Sequence, residues 1–372
     1  MSPAAAPGAS RNPPRSVVVI VPRRMGDVLL ATPLIRSLKR AWPLAAIDAL
    51  VFEGTEGVLS ANPDLRHVLV VPQRPRVLRH LAFVAKLFRR YDLALSLVPG
   101  DRPTCYAFVA GRLRAGLLLD TKKEHWKRRL LDRWVPFDDL NTHTVRMHLA
   151  LAAEFGVAAQ GEIAVTWSDD DAARVDHLLA NTPARPIALL HPYPKFNYKM
   201  WHRRGWIEIA QRLAAHGQTI VLSGGGEKPE LEYVADLARE MPDGTVNAAG
   251  KLTLGASACL ASRARVYVGP DTAMTHIAAA LGVPTVALFG PSNTVKWGPW
   301  PRGHAVESNP WRRCGSQHVN NVMLVQGATA CAPCMLEGCG RSIGSFSDCL
   351  QHLPASRVMA AIDQALGVGP RG

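Results

Sequence analysis

Val17-Val18-Val19-Ile20-Val21 is an unbroken apolar run, mostly β-branched, that ends at Pro22. It passes through Arg23-Arg24-Met25-Gly26-Asp27 into residues 28–41, where Leu30, Leu34 and Leu38 recur at helical spacing. This reads as strand, loop and helix. Further strand-like runs at 46–51, 67–71 and 93–98 alternate with polar or amphipathic segments. A parallel sheet covered by helices needs that grammar, because its strands are buried on both faces. The pattern predicts an open α/β unit.

A helical stretch ending near Ala180 is followed by Asn181-Thr182-Pro183-Ala184-Arg185-Pro186, which we read as a linker. Beyond it the grammar restarts, with strands expected at 187–190, 219–222, 266–269 and 285–289. Helices are expected at 206–216, 229–240, 254–262 and 272–281. Two Rossmann-like, doubly wound parallel-sheet domains are thus predicted, 16–182 and 183–372. The second carries a cysteine-rich segment at 331–349 and a C-terminal helix. Ligands of such sheets bind outside the carboxyl ends of the strands, so the site is expected in a cleft between the domains.

The 372 residues are 48% hydrophobic and 20% charged, which excludes wholesale disorder and leaves enough chain for two cores. Apolar stretches such as 17–22 and 283–289 are far shorter than the roughly 20 residues that span a bilayer. Residues 1–15, rich in Ala, Pro, Gly and Ser, lack a signal peptide's apolar core and read as a disordered leader, which places the chain in the cytoplasm. The net charge of +13 is unevenly held: residues 1–150 carry 24 Lys and Arg against 12 Asp and Glu, and residues 151–372 carry 19 against 18. A one-sided basic field draws anionic ligands, so the first half should meet something negative.

Four loops leave predicted strand ends with residues that carry chemistry. Asp27 opens a helix, where Asp is a favoured N-cap; a carboxylate at a strand end can equally take a proton from an attacking hydroxyl. His191-Pro192-Tyr193-Pro194-Lys195-Phe196-Asn197-Tyr198-Lys199-Met200-Trp201 brings two lysines that could neutralise a diphosphate or simply be solvated. Ser223-Gly224-Gly225-Gly226-Glu227 joins glycines that permit close backbone approach, Gly225 among them, to a carboxylate able to bond a ribose or base edge; a tight turn would need no more than the glycines. Gly269-Pro270-Asp271-Thr272-Ala273-Met274-Thr275-His276 ends a strand and opens a helix whose free amides and dipole suit a phosphate, and Gly282 terminates that helix. Its plainer reading is a capped helix with a buried histidine.

At these residues the chain resembles the ADP-heptose:lipopolysaccharide heptosyltransferases, glycosyltransferase family nine. Residues 25–33, Met-Gly-Asp-Val-Leu-Leu-Ala-Thr-Pro, look like the family's N-terminal signature, and 271–291, from Asp-Thr-Ala-Met-Thr-His to Leu-Phe-Gly-Pro, like its C-terminal one. The resemblance implies a GT-B fold and inverting transfer of L-glycero-D-manno-heptose from an ADP-linked donor to the inner core of lipopolysaccharide, with no cofactor required. It makes Asp27 the general base, Lys199 a diphosphate ligand with Lys195 nearby, Glu227 a nucleoside contact, and Asp271, Thr272, Ala273 and His276 the phosphate-binding turn. Ala273 departs from the Gly of many relatives, which puts the detail of donor approach in question. Lipopolysaccharide core and lipid A are anionic, matching the basic first half.

Candidate acceptor contacts are Arg24, Arg79, Lys122, Lys123 and Arg128. Residues 76–90 also read as an amphipathic helix, with Val77, Leu81, Val84 and Phe88 on one side, suited either to an anionic inner-membrane surface or to packing on its own domain. The stretch 122–129 could hold acceptor phosphates or be a solvated loop. Cys331, Cys334, Cys339 and Cys349 cluster within nineteen residues and could close a structural zinc site or hold an iron–sulfur cluster, although their spacing is not a standard zinc-ribbon pair; reduced thiols or local disulfides are the alternatives. Two other functions remain beside the heptosyltransferase: transfer from another nucleotide sugar or to another acceptor, and a sugar-nucleotide epimerase of similar architecture. A nucleic-acid partner is not expected, since no aromatic-interleaved basic motif occurs and the phosphate-type turn lies in the nearly neutral half.

Overall fold

The computed structural model describes residues 13–74 and 76–367. The chain forms two compact units. One takes in the chain up to Glu56, Asn62–Asp139 and Thr144–Glu162; the other takes in Gly57–Ala61, Leu140–His143 and the chain from Ile163 onward. The leader expected over 1–15 falls, but for its last three residues, outside the described residues.

The first unit holds a sheet of β1 (Ser16–Ile20), β2 (Ala46–Phe52), β3 (His67–Val71), β4 (Tyr91–Ser96), β5 (Gly111–Leu118) and β6 (Arg133–Pro136), in the order β3-β2-β1-β4-β5-β6. Every pairing is parallel. Residues 17–21 are wholly buried, as the strand beside the reversal of a doubly wound sheet must be. Helices α1 (Met25–Leu29), α2 (Thr32–Ala41), α3 (Val77–Leu87), α4 (Asp101–Ala110) and α5 (Thr144–Ala153) connect and flank these strands.

Asp48 on β2 is a charged group fully buried in this unit. It accepts from Arg66 Nε and Nη2 at 3.0 and 2.7 Å and from the Tyr91 hydroxyl at 2.6 Å. Burial pushes the Asp48 carboxyl up, but the bonds from Arg66 and Tyr91 outweigh it and leave it below its ordinary value. Replacing Arg66 by Ala strands a buried carboxylate, and we expect a loss of about 3 kcal/mol or more at neutral pH. Because the folded value is depressed, the pair's contribution is present above the unfolded carboxyl range near pH 4 and fades as pH falls through the folded value. Urea unfolding of both proteins at neutral and acid pH checks this: their stabilities should converge in acid, and a gap that persists there would show that the charge is not the cause.

The second unit repeats the same winding. Its strands β7 (Ile187–Leu190), β8 (Thr219–Leu222), β9 (Val246–Asn247), β10 (Ala264–Pro270), β11 (Thr285–Phe289), β12 (Gln317–Val319) and β13 (Val322–Gln326) stand in the order β12-β13-β11-β10-β7-β8-β9. All pairings are parallel except β12 with β13. Helices α6 (Asp169–Leu179), α7 (Arg203–Ala215), α8 (Lys228–Ala238), α9 (Leu254–Ser262) and α10 (Ala273–Leu281) cover it, with a last helix at Ala355–Ala365. Trp206 of α7 is buried in the core with Trp201, their rings 5.0 Å apart and edge to face.

The boundary lies earlier than the linker read at 181–186. Helix α6 belongs to the second unit because it is tied to α9: Asp171 accepts from the Thr253 hydroxyl, and Asp176 pairs with Arg263 at 2.5 Å. A capping box at Ser168 and Asp171 starts that helix. The Pro-rich stretch therefore joins a helix to a strand within one unit, where it caps a helix end rather than a domain.

Candidate functional site

In the first unit the sheet order reverses at β1, whose neighbours are β2 and β4. Ligands of doubly wound sheets bind at such a reversal, outside the carboxyl ends of the strands. The chain leaving β1 there forms α1, and Asp27 sits in its first turn, 8% exposed, with Arg23 Nε 3.8 Å from its carboxylate. Asp27 is not the N-cap: that position is Arg24, which is exposed. The helix begins three residues earlier than expected, so the carboxylate projects from within the turn.

The basic stretch at 122–129 is a 3-10 helix rather than a loop, and its residues divide. Lys122 and Lys123 are exposed. Lys127 is buried, pairing with Asp101 at 2.6 Å and with Glu124. Arg128 is bound to Asp120 at 2.5 Å and lies over the Trp134 ring at 4.1 Å. Arg79 falls on α3, and its side chain lies outside the described residues.

In the second unit the reversal falls between β7 and β10, and the loops leaving these two strands meet. The β7 loop is fixed by Trp201, whose indole donates to the Leu353 carbonyl at 2.8 Å. Its ring lies so close over α7 that any Cβ at Gly205 would enter it. Ser347 donates to the Tyr198 carbonyl at 2.7 Å and Gln351 to that of Met200 at 2.9 Å, so the backbone on both sides of Lys199 is held. The Lys199 ammonium then reaches across to Asp271 Oδ2 at 2.5 Å, and Ser292, from the loop after β11, donates to the same oxygen at 2.8 Å. Lys195 in the same loop is exposed.

Burial pushes the Asp271 carboxyl up, but Lys199, by its charge and its hydrogen bond, and Ser292 hold it down, so the group is a carboxylate. His276, one turn along α10, is buried, and burial takes its imidazole down to about 4, keeping it neutral. Its Nδ1 is buried without a hydrogen-bond partner. Thr272 occupies the N-cap of α10, yet its side chain makes no capping bond, which leaves the first-turn amides of that helix uncapped by it. Ala273 is the first helical residue. Gly282 ends the helix in the left-handed conformation, as its position in the sequence required.

The loop after β8 differs from expectation. Its glycines make room for a protein carboxylate: a Cβ at Gly224 or Gly225 would stand 3.0 or 2.8 Å from the Glu230 side chain. Glu230, on α8, is pushed up by burial and by Glu227, against a bond from the Gly225 backbone. Glu227 itself is exposed at the N-cap of α8. Beside it, His191 and Ser223 share a hydrogen bond of 3.0 Å, and burial holds His191 neutral, near 4. Sequence reading missed Ser292 and Glu230. Ser292 directly follows the Gly-Pro that closes the C-terminal signature; Glu230 carried no signal beyond its place one turn into a helix.

The four clustered cysteines are unpaired thiols. Cys349 is buried and pushed up to about 11, first by burial and then by Cys334, Cys331 and Cys339, so the four do gather. Among the described residues, however, no group of three or more His, Cys, Asp or Glu side chains is arranged to hold a metal ion, and the zinc or iron–sulfur expectation gains no support. Nor is any described helix long and apolar enough to cross a membrane.

Residues 81–322, well over half the chain, match glycosyltransferase family 9 (heptosyltransferase). The chain belongs to this family. It is a transferase, and its two parallel-sheet units are those of the family's GT-B fold. Lipopolysaccharide heptosyltransferase 3 of Escherichia coli is 27% identical over 289 residues, covering 74% of this chain and 83% of that one. Among solved structures, a family 9 glycosyl transferase from Veillonella parvula superposes with a TM-score of 0.75 at 19% identity, covering 95% of this transferase and 98% of that chain. The ADP-heptose lipopolysaccharide heptosyltransferase II of E. coli gives 0.71 at 20%, covering 94% and 98%.

Proposed function

We propose that the enzyme transfers a heptose from an ADP-linked donor to an anionic lipopolysaccharide core, with inversion. The observation that carries this reading is the Lys199–Asp271 pair at the reversal of the second sheet, beside a helix terminus whose N-cap side chain makes no capping bond, in a chain of a family whose relatives are heptosyltransferases. A carboxylate does not bind a diphosphate, so the role of Asp271 is to aim Lys199, with Ser292 holding the same oxygen. The Lys199 ammonium keeps donors to spare for phosphate oxygens, and the α10 amides add theirs. Neutral His276 can donate without adding charge.

In the first unit Asp27 takes the proton of the acceptor hydroxyl as the oxygen attacks the anomeric carbon from the face opposite the leaving group. The carbon–oxygen bond to ADP breaks, and the diphosphate departs with the pair, its charge met by Lys199 and the helix terminus. Lys122 and Lys123 are the exposed cations offered to acceptor phosphates, with Arg24 adjoining the base. With lysine and amides balancing the diphosphate, no divalent ion is needed.

Calorimetric titration with ADP, UDP and GDP, each with and without magnesium, tests the donor half. Selective ADP binding that magnesium leaves unchanged is expected. Preference for UDP would move the function to another nucleotide sugar or to the epimerase class.

A further inference from the structure

The segment 74–90 contains Arg74, Arg76, Arg79, Lys86, Arg89 and Arg90 and no acidic residue. Within it α3 is apolar on two opposite faces. His80, Phe83, Val84 and Leu87 form the packing face: Leu87 is buried in the core of the first unit, Phe83 and Val84 pack on it, and the His80 ring lies 5.7 Å from that of Tyr106. Val84, read from the sequence as part of a single apolar side, points inward. Across the helix Val77 is 73% exposed, Leu78 82%, Leu81 59% and Phe88 68%, with Ala82 and Ala85 exposed between them.

Such a ridge of large side chains is not what a free surface carries, and its surroundings say what covers it. Arg74, Arg76, Lys86, Arg89 and Arg90 are all exposed around it, and the Arg89 guanidinium stands 6.0 Å above the Phe88 ring. Arg74 and Arg76 stand at the N-terminal end of α3, where cations oppose the helix dipole and an anion would relieve both. Apolar ridge and cationic margin together are the pattern of a helix that lies in a membrane interface, its ridge among the acyl chains and its cations among the headgroups.

We propose that α3 and Phe88 dock this protein on the surface of a bilayer rich in anionic phospholipid. Leu78, Leu81 and Phe88 are given no part in the transfer chemistry, so the inference stands apart from the proposed function. Flotation of the full chain with vesicles of phosphatidylethanolamine and phosphatidylglycerol, and with phosphatidylcholine alone, tests it. Binding to the first and not the second is expected, weakened by high salt. The variant Leu78→Ser/Leu81→Ser/Phe88→Ser, altered only at exposed positions, should lose at least about tenfold in partitioning while titrating with ADP as the parent does. Unchanged partitioning of the variant, or equal binding to neutral vesicles, would overturn the proposal. So would a dimer in sedimentation velocity that the variant dissociates, since a second copy would then cover the ridge, or release from vesicles by free glycerol phosphate at low concentration, which would mark a headgroup site without insertion.

Discussion

Asp27→Ala is expected to lower the rate of heptose transfer by about 10²- to 10⁴-fold and to leave ADP binding unchanged, because in the proposed mechanism the carboxylate acts on the acceptor proton and on nothing of the donor. Asp27→Asn should behave alike: the amide keeps the shape and cannot take the proton. Single-turnover transfer from ADP-heptose to a truncated core acceptor, beside titration with ADP, separates the two effects. A rate within about tenfold of the parent would remove Asp27 from the role of base. Loss of ADP affinity would instead make it part of the donor's support.

Lys199→Ala is expected to fail differently. In the proposed mechanism it removes the cation that meets the leaving diphosphate, so ADP binding should weaken and transfer fall by about 10²- to 10³-fold, the loss typical of one preorganised charge-stabilising donor. It also leaves Asp271 buried with only Ser292 bonded to its side chain, and the unneutralised carboxylate then repels the donor. Lys199→Ala/Asp271→Ala therefore recovers part of the lost ADP affinity without recovering the rate. If the double variant binds no better than the single one, the stranded Asp271 carboxylate is not what repels the donor.

The parts of this molecule that could be read from its sequence are those that follow from local periodicity. The strands at 187–190, 219–222 and 285–289 and the helix at 254–262 stand at the residues their apolar patterns mark. Strand β5 escaped because Arg112 and Arg114 interrupt its apolar run; Arg114 there pairs with Asp132 at 2.9 Å, a partner from outside the strand. The residues of the reversal loops were legible as candidates for chemistry, yet the bond that joins them was not, since Lys199 and Asp271 are brought together only by the order in which β7 and β10 pair. The glycine triplet shows the same limit from the other side. Its small residues signalled a close approach, and only packing reveals that the approaching group is Glu230.

Gly205 and Trp201 carry a consequence for how this chain can vary. Gly205 touches no ligand group, yet it is the floor on which the indole rests, and the indole is two residues from Lys199. A single methyl at 205 lifts the ring, and the ring draws the lysine with it. The two positions are thus inherited as one choice: a lineage that loses the glycine must trade the tryptophan for something smaller, or let the ammonium drift from its mark.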